Sequence, residues 1–297
     1  MTVGILLGLA AAFCISLSYL FGRLFIQNGH GTAVGLLLLS NVVMGVVSVG
    51  LLPLVWGDSM PGFGEYGWAL FFCTLFYALG QMGLFLALKR TDASIVSPFL
   101  GLKVFILAAI SAGMLGESFS GLQWGAVAMS VVAALMMNWS GKALPWQSAG
   151  WVMSACVCYS ISDLSIRRLV GHFLHLGLTH GSVLGACLTY IVCGAVSGLL
   201  LCFRERVTAG VWARTVPYAV SWYVAMLFLY ACFASVGVVF GNILQSTRGV
   251  FSVGLGAAVA AAGMEHLEEK ISLPALVRRV LAAGLMTGAI AMFYLGG

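Results

Sequence analysis

The chain of 297 residues is 61% hydrophobic and only 8% charged, with a mean hydropathy of +1.06. Soluble domains carry about 25% charged residues, so water would not solvate this surface, and a soluble enzyme or binding module is excluded. The net charge of +5 does not suggest a nucleic-acid partner, because the Lys and Arg are scattered and form no stripe or patch.

About 20 consecutive apolar residues are needed for each helical span. Read for that length, the chain gives ten segments in order: 3–22, 32–56, 66–88, 94–115, 122–139, 149–166, 180–203, 216–234, 240–262 and 274–295. The expected fold is therefore all-α and integral to the membrane, multi-pass in the cell (inner) membrane, with no soluble domain between spans. No Lys or Arg precedes the first segment, which is read as a retained span and not as a cleavable leader. The eight cysteines fall within or at the edges of apolar segments and read as small packing residues, not as a disulfide framework. Small residues four apart (Gly4/Gly8, Gly31/Gly35, Gly194/Gly198, Gly284/Gly288) let helix backbones approach closely in lipid. Most would serve packing within the bundle; the pair in the last segment leaves a weak homodimer open beside a monomer.

Segment one and segment six are similar at an offset of 144 residues: Cys14, Ser16, Ser18 and Arg23 fall in register with Cys158, Ser160, Ser162 and Arg167. Further on, Val104-Phe105 with Gly113-Met114 and Glu117 corresponds to Val250-Phe251 with Gly263-Met264-Glu265. Two five-span repeats, 1–144 and 145–297, are expected. An odd number of spans inverts the second repeat against the first, which would put a binding site near the midplane between the halves.

The stretch from Ala87 to Leu100, with Ser94, Ser97 and Pro98, leads to Gly116-Glu117-Ser118 and then to Gln123-Trp124-Gly125. It resembles the EamA-type repeat of the drug/metabolite transporter superfamily. The second copy departs from it, with Gln245 to Gly249 in place of Ser97-Pro98-Phe99 and Glu265-His266-Leu267-Glu268 at the turn. The resemblance implies a ten-helix carrier without ATP hydrolysis, and leaves the substrate open.

Two cations lie inside apolar segments: Lys103 in segment four and Arg248 in segment nine, equivalent positions of the two halves. A cation at bilayer depth costs about 2.5–3.5 kcal/mol on insertion scales unless it is paired or faces water. Two such cations facing one cavity point to an anion shared between them. The pattern resembles the triose-phosphate translocator branch of the superfamily, whose basic residues on these helices hold a phosphate. Asp163, in register with Tyr19, is the one carboxylate well inside a segment; it either carries a coupling proton or neutralises Lys103 or Arg248. Tyr19, Gln81, Asn242 and Gln245 are the neutral polar candidates around the site. Tyr77 shares a helix face with Gln81. His172, His175 and His180 lack the spacing of a metal site.

No Walker loop, nucleophile elbow or dinucleotide fingerprint occurs, so neither a cofactor nor catalysis is expected. The sequence points to a secondary transporter for a small anionic or zwitterionic metabolite, working by alternating access. The alternatives are an exporter of amino acids or cationic drugs that uses Asp163, and, from another class, a non-transporting scaffold or enzyme. Ten spans put both termini on one face, where the loops hold only Arg167 and Arg168, whereas ten basic residues flank the opposite ends. Basic loops favour the cytoplasm, which predicts termini outside, although members of the resembled superfamily are usually drawn with both termini inside.

Overall fold

The computed structural model describes residues 1–57, 60–91, 95–96, 99–138, 144–203, 207–261 and 273–297. Part of the family-like stretch (92–94 and 97–98), Lys142, Arg204, Arg206 and the second-half turn from Gly263 to Glu268, with Lys270, lie outside the described residues. The elements are α1 (Thr2–Gln27), α2 (Ala33–Val55), α3 (Phe63–Leu88), α4 (Lys103–Leu115, entered through a 3-10 turn at Leu100–Leu102), α5 (Gly121–Asn138), α6 (Trp146–Gly171), α7 (Leu178–Leu201), α8 (Ala209–Val236), α9 (Val238–Ser246), α10 (Arg248–Ala261) and α11 (Leu273–Leu295). Seven of the described helices (α1, α2, α3, α6, α7, α8 and α11) are long and apolar enough to cross a membrane unaided. In lipid the backbone can satisfy its hydrogen bonds only within such helices, which is why hydropathy alone located them.

The ends differ from the expected ones where polar chemistry intervenes. Thr32 caps α2 by accepting from Gly35 N at 3.1 Å, and Glu65 Oε1 accepts from Gly62 N at 3.0 Å, so α3 starts a turn early. Gly31 and Gly35 thus belong to a loop and a cap, not to a helix–helix contact. Gly116 ends α4 in the left-handed region at φ 67°, a conformation that costs a residue without Cβ nothing. Segment nine, expected as one continuous helix, is divided at Thr247 into α9 and α10.

The most extensive interfaces join α3 to α6, α1 to α8, α2 to α7 and α5 to α11. Glycines set these approaches. A Cβ on Gly194 of α7 would lie 2.9 Å from Asn41 O and 2.9 Å from Gly45 Cα of α2. On α1, Gly4 and Gly8 would meet Val236, Ser235, Leu244 and Cys232. Gly80 and Gly83 admit α6 against α3 at Tyr159 and Ala155. Gly288 faces Met129 of α5, while Gly284 of α11 faces open space.

With α9 and α10 taken as one traversal, the chain crosses the bundle ten times and both termini lie at one end. The apolar core is concentrated in the half nearer that end. Ala11, Ala12, Ile15, Leu107, Phe233, Ile243 and Leu244 are fully buried there, and Phe240 stacks on Phe293 with ring centroids 4.9 Å apart.

Candidate functional site

Lys103 begins α4 and Arg248 begins α10. At a rise of 1.5 Å per residue, Lys103 lies about 18 Å from the end of α4, and Arg248 about 15 Å from the start of α9. Both of those helix ends are on the side of the termini. Against a hydrocarbon core about 30 Å thick, the two cations are therefore near mid-depth.

A serine of another helix reaches the backbone carbonyl of each of these residues. Ser16 Oγ lies 2.7 Å from the carbonyl oxygen of Arg248 and 2.9 Å from that of Ala12. Ser160 Oγ lies 2.8 Å from the carbonyl oxygen of Cys156 and 3.4 Å from that of Lys103. In both cases the hydroxyl bonds one turn back along its own helix and reaches across to the first residue of a helix beginning in mid-bundle.

The side chains then diverge. Lys103 Nζ is 2.6 Å from Asp163 Oδ2. Asn242 Nδ2 donates to the same oxygen at 2.8 Å and to Val238 O at 3.0 Å. Asp163 is 7% exposed. A carboxylate at that depth needs both donors, since desolvation otherwise disfavours the charge. Arg248 meets no carboxylate among the described residues; its guanidinium carbon lies 5.9 Å from the centroid of the Tyr19 ring, a cation–π arrangement. Lys103 Nζ lies at the same 5.9 Å from the ring of Tyr159. Of the two neutralising roles left open for Asp163, the geometry selects Lys103.

Tyr19 is 40% exposed although Ser16, one turn earlier, is 2% exposed. Further aromatic residues lie around Tyr19. Trp222 lies 6.2 Å from Tyr19 and stacks on Tyr218 at 6.1 Å, and its Nε1 donates to Tyr190 Oη at 3.0 Å. Tyr77 Oη is buried with no hydrogen-bond partner among the described residues.

Of the residues singled out in the sequence, Lys103, Asp163 and Asn242 form one group and Arg248 and Tyr19 another, with Tyr159 beside both. Gln81 and Gln245 are half-buried, and neither forms a hydrogen bond to either group among the described residues. Tyr159, Tyr218 and Trp222 were not anticipated. Their signal was available: aromatic side chains with polar tips in mid-span, where a phenylalanine would suffice for packing alone. At the surface, Arg167 pairs with Glu117 of the Gly116-Glu117 turn. His172 follows the last residue of α6, His175 lies in the turn at Leu174–Leu176 and His180 is in the first turn of α7.

Residues 2–139 match the EamA-like transporter family. The match covers the first half of the chain and suggests a membrane transporter of the drug/metabolite type rather than an enzyme. No curated protein matches the chain significantly. A solved structure, described only as the crystal structure of a protein, is similar over 99% of this chain and 97% of its own, with a TM-score of 0.72 and 17% identity. At that identity the likeness shows a shared fold and nothing of the substrate. The Gly116-Glu117 turn that helped suggest the family lies inside the matched residues.

Proposed function

We propose that this EamA-type protein is a secondary active transporter for a small anionic or zwitterionic metabolite, built from two inverted five-helix repeats and working by alternating access. One observation carries the reading: two cations, Lys103 and Arg248, lie near mid-depth, and the one carboxylate found beside them among the described residues is Asp163. A purely structural bundle has no reason to keep such charges in lipid.

The inverted repeat draws support from the packing. Under an exchange of first-half and second-half helices, the α1–α8 contact becomes the α6–α3 contact, and α2–α7 and α5–α11 each map onto themselves. The matched Ser16 and Ser160 contacts follow the same exchange. The reading as an exporter of cations through Asp163 is weaker, because Lys103 already occupies that carboxylate.

Counterflow in proteoliposomes tests the proposal. Purified protein loaded with unlabelled amino acids, carboxylates or phosphorylated sugars should accumulate the matching labelled compound for at least one anion or zwitterion. Accumulation of organic cations alone, or of nothing across the panel, would overturn it.

A further inference from the structure

The charge balance of the site narrows the substrate further. On the proposed register Tyr19 and Asp163 are equivalent, and each faces the cation of the opposite half: Tyr19 lies beside Arg248 and Asp163 bonds Lys103. A tyrosine ring leaves the charge of its cation intact, whereas a carboxylate 2.6 Å away cancels it. Lys103, Arg248 and Asp163 together therefore carry one net positive charge, and among the described residues Arg248 is the cation without a carboxylate. Asn242 strengthens the asymmetry by donating to the oxygen that Lys103 also engages.

We infer that the site selects a singly charged anion, one carboxylate received by Arg248, and that Asp163 sets this selectivity by cancelling Lys103. This rests on the anion-transporter reading above. A dianion in the same place would leave one negative charge uncompensated at mid-membrane, which is costly where water is scarce. Removing the charge of Asp163 alone would give the site two net positive charges and a preference for dianions.

The test uses purified full-length protein and pairs of probes on one skeleton: benzoate with phthalate, propionate with succinate, and phenylacetate with homophthalate. Dissociation constants come from ligand-dependent thermal shifts. Wild type should bind the monocarboxylate of at least one pair tenfold or more tightly than its dicarboxylate partner. Asp163→Asn should shift that ratio at least tenfold toward the dicarboxylate. The double variant Lys103→Gln with Asp163→Asn, whose site again carries one positive charge, should return the ratio toward that of wild type. If Asp163→Asn alone does not fold, the wild-type ratio and the double variant decide. A wild type that binds anions but prefers the dicarboxylates, a folded Asp163→Asn with the wild-type ratio, or a double variant that prefers dicarboxylates overturns this inference and leaves the transporter reading standing. Wild type that binds neither member of any pair, in a protein that also fails counterflow with every anion and zwitterion, overturns the underlying reading and this inference with it.

Discussion

Replacing Lys103 with Gln tests the energetics of the cluster directly. The substitution strands a carboxylate that is 7% exposed, with Asn242 as its remaining donor. At the observed separation of 2.6 Å and an effective dielectric constant of about 20, the gross attraction is about 6 kcal/mol. Desolvation offsets much of that, and removing one partner of a buried pair costs about 3–5 kcal/mol. The Asn242 bond survives, so the lower end is expected, about 3 kcal/mol. Asp163→Asn should cost a comparable amount by stranding Lys103. The double variant should lose less than either single one, because no unpaired charge remains, with a coupling of about 2 kcal/mol or more. Denaturant unfolding in detergent, followed by tryptophan fluorescence, measures all three. The pair of Arg167 with Glu117, whose side chains are 43% and 29% exposed, supplies an internal contrast: Arg167→Gln should cost less than about 1 kcal/mol. Single variants at Lys103 and Asp163 as stable as the one at Arg167, or a double variant as unstable as the sum of its parts, would refute the reasoning.

Arg248→Gln should abolish anion exchange while lowering stability by no more than about 1 kcal/mol, since only a cation–π contact is lost; retained exchange in proteoliposomes would remove Arg248 from the site. Gly194→Val should destabilise by about 1–3 kcal/mol, because the new side chain meets backbone of α2 and not a movable side chain. Gly284→Val, whose Cβ meets nothing within 4 Å, should be near neutral by the same unfolding measurement. A fluorescent protein fused after Gly297 should stay dark, as the excess of basic residues at the opposite end predicts; bright fluorescence would place the termini in the cytoplasm.

Seven of the ten expected spans were legible as membrane-length helices because lipid imposes the same demand on each, an apolar stretch of sufficient length with its backbone satisfied internally. Lys103, Arg248 and Asp163 were legible for the converse reason: a charge in such a stretch is an exception that its surroundings must justify. The break at Thr247 was not, because Thr247 is neither proline nor glycine and apolar residues resume on both sides of the polar run Gln245-Ser246-Thr247-Arg248. Tyr159 and Trp222 were hidden by the ordinariness of aromatic residues in membrane helices; only their convergence beside Lys103 and Tyr19 distinguishes them.

Hydropathy and the placement of charge were determined by the sequence alone, since both are properties of single helices read along the chain. Which cation Asp163 neutralises was decided only by tertiary structure. Asp163 is 60 residues from Lys103 and 85 from Arg248 along the chain, and no helical periodicity ranks one against the other. The ranking came from close packing of α6 against α3 and α4, which carries Asp163 to Lys103, and from α9, whose Asn242 completes the carboxylate's bonds. Arg248 was left with an aromatic ring for a neighbour, and it is that difference in partners, not the presence of two cations, that gives the site its net charge.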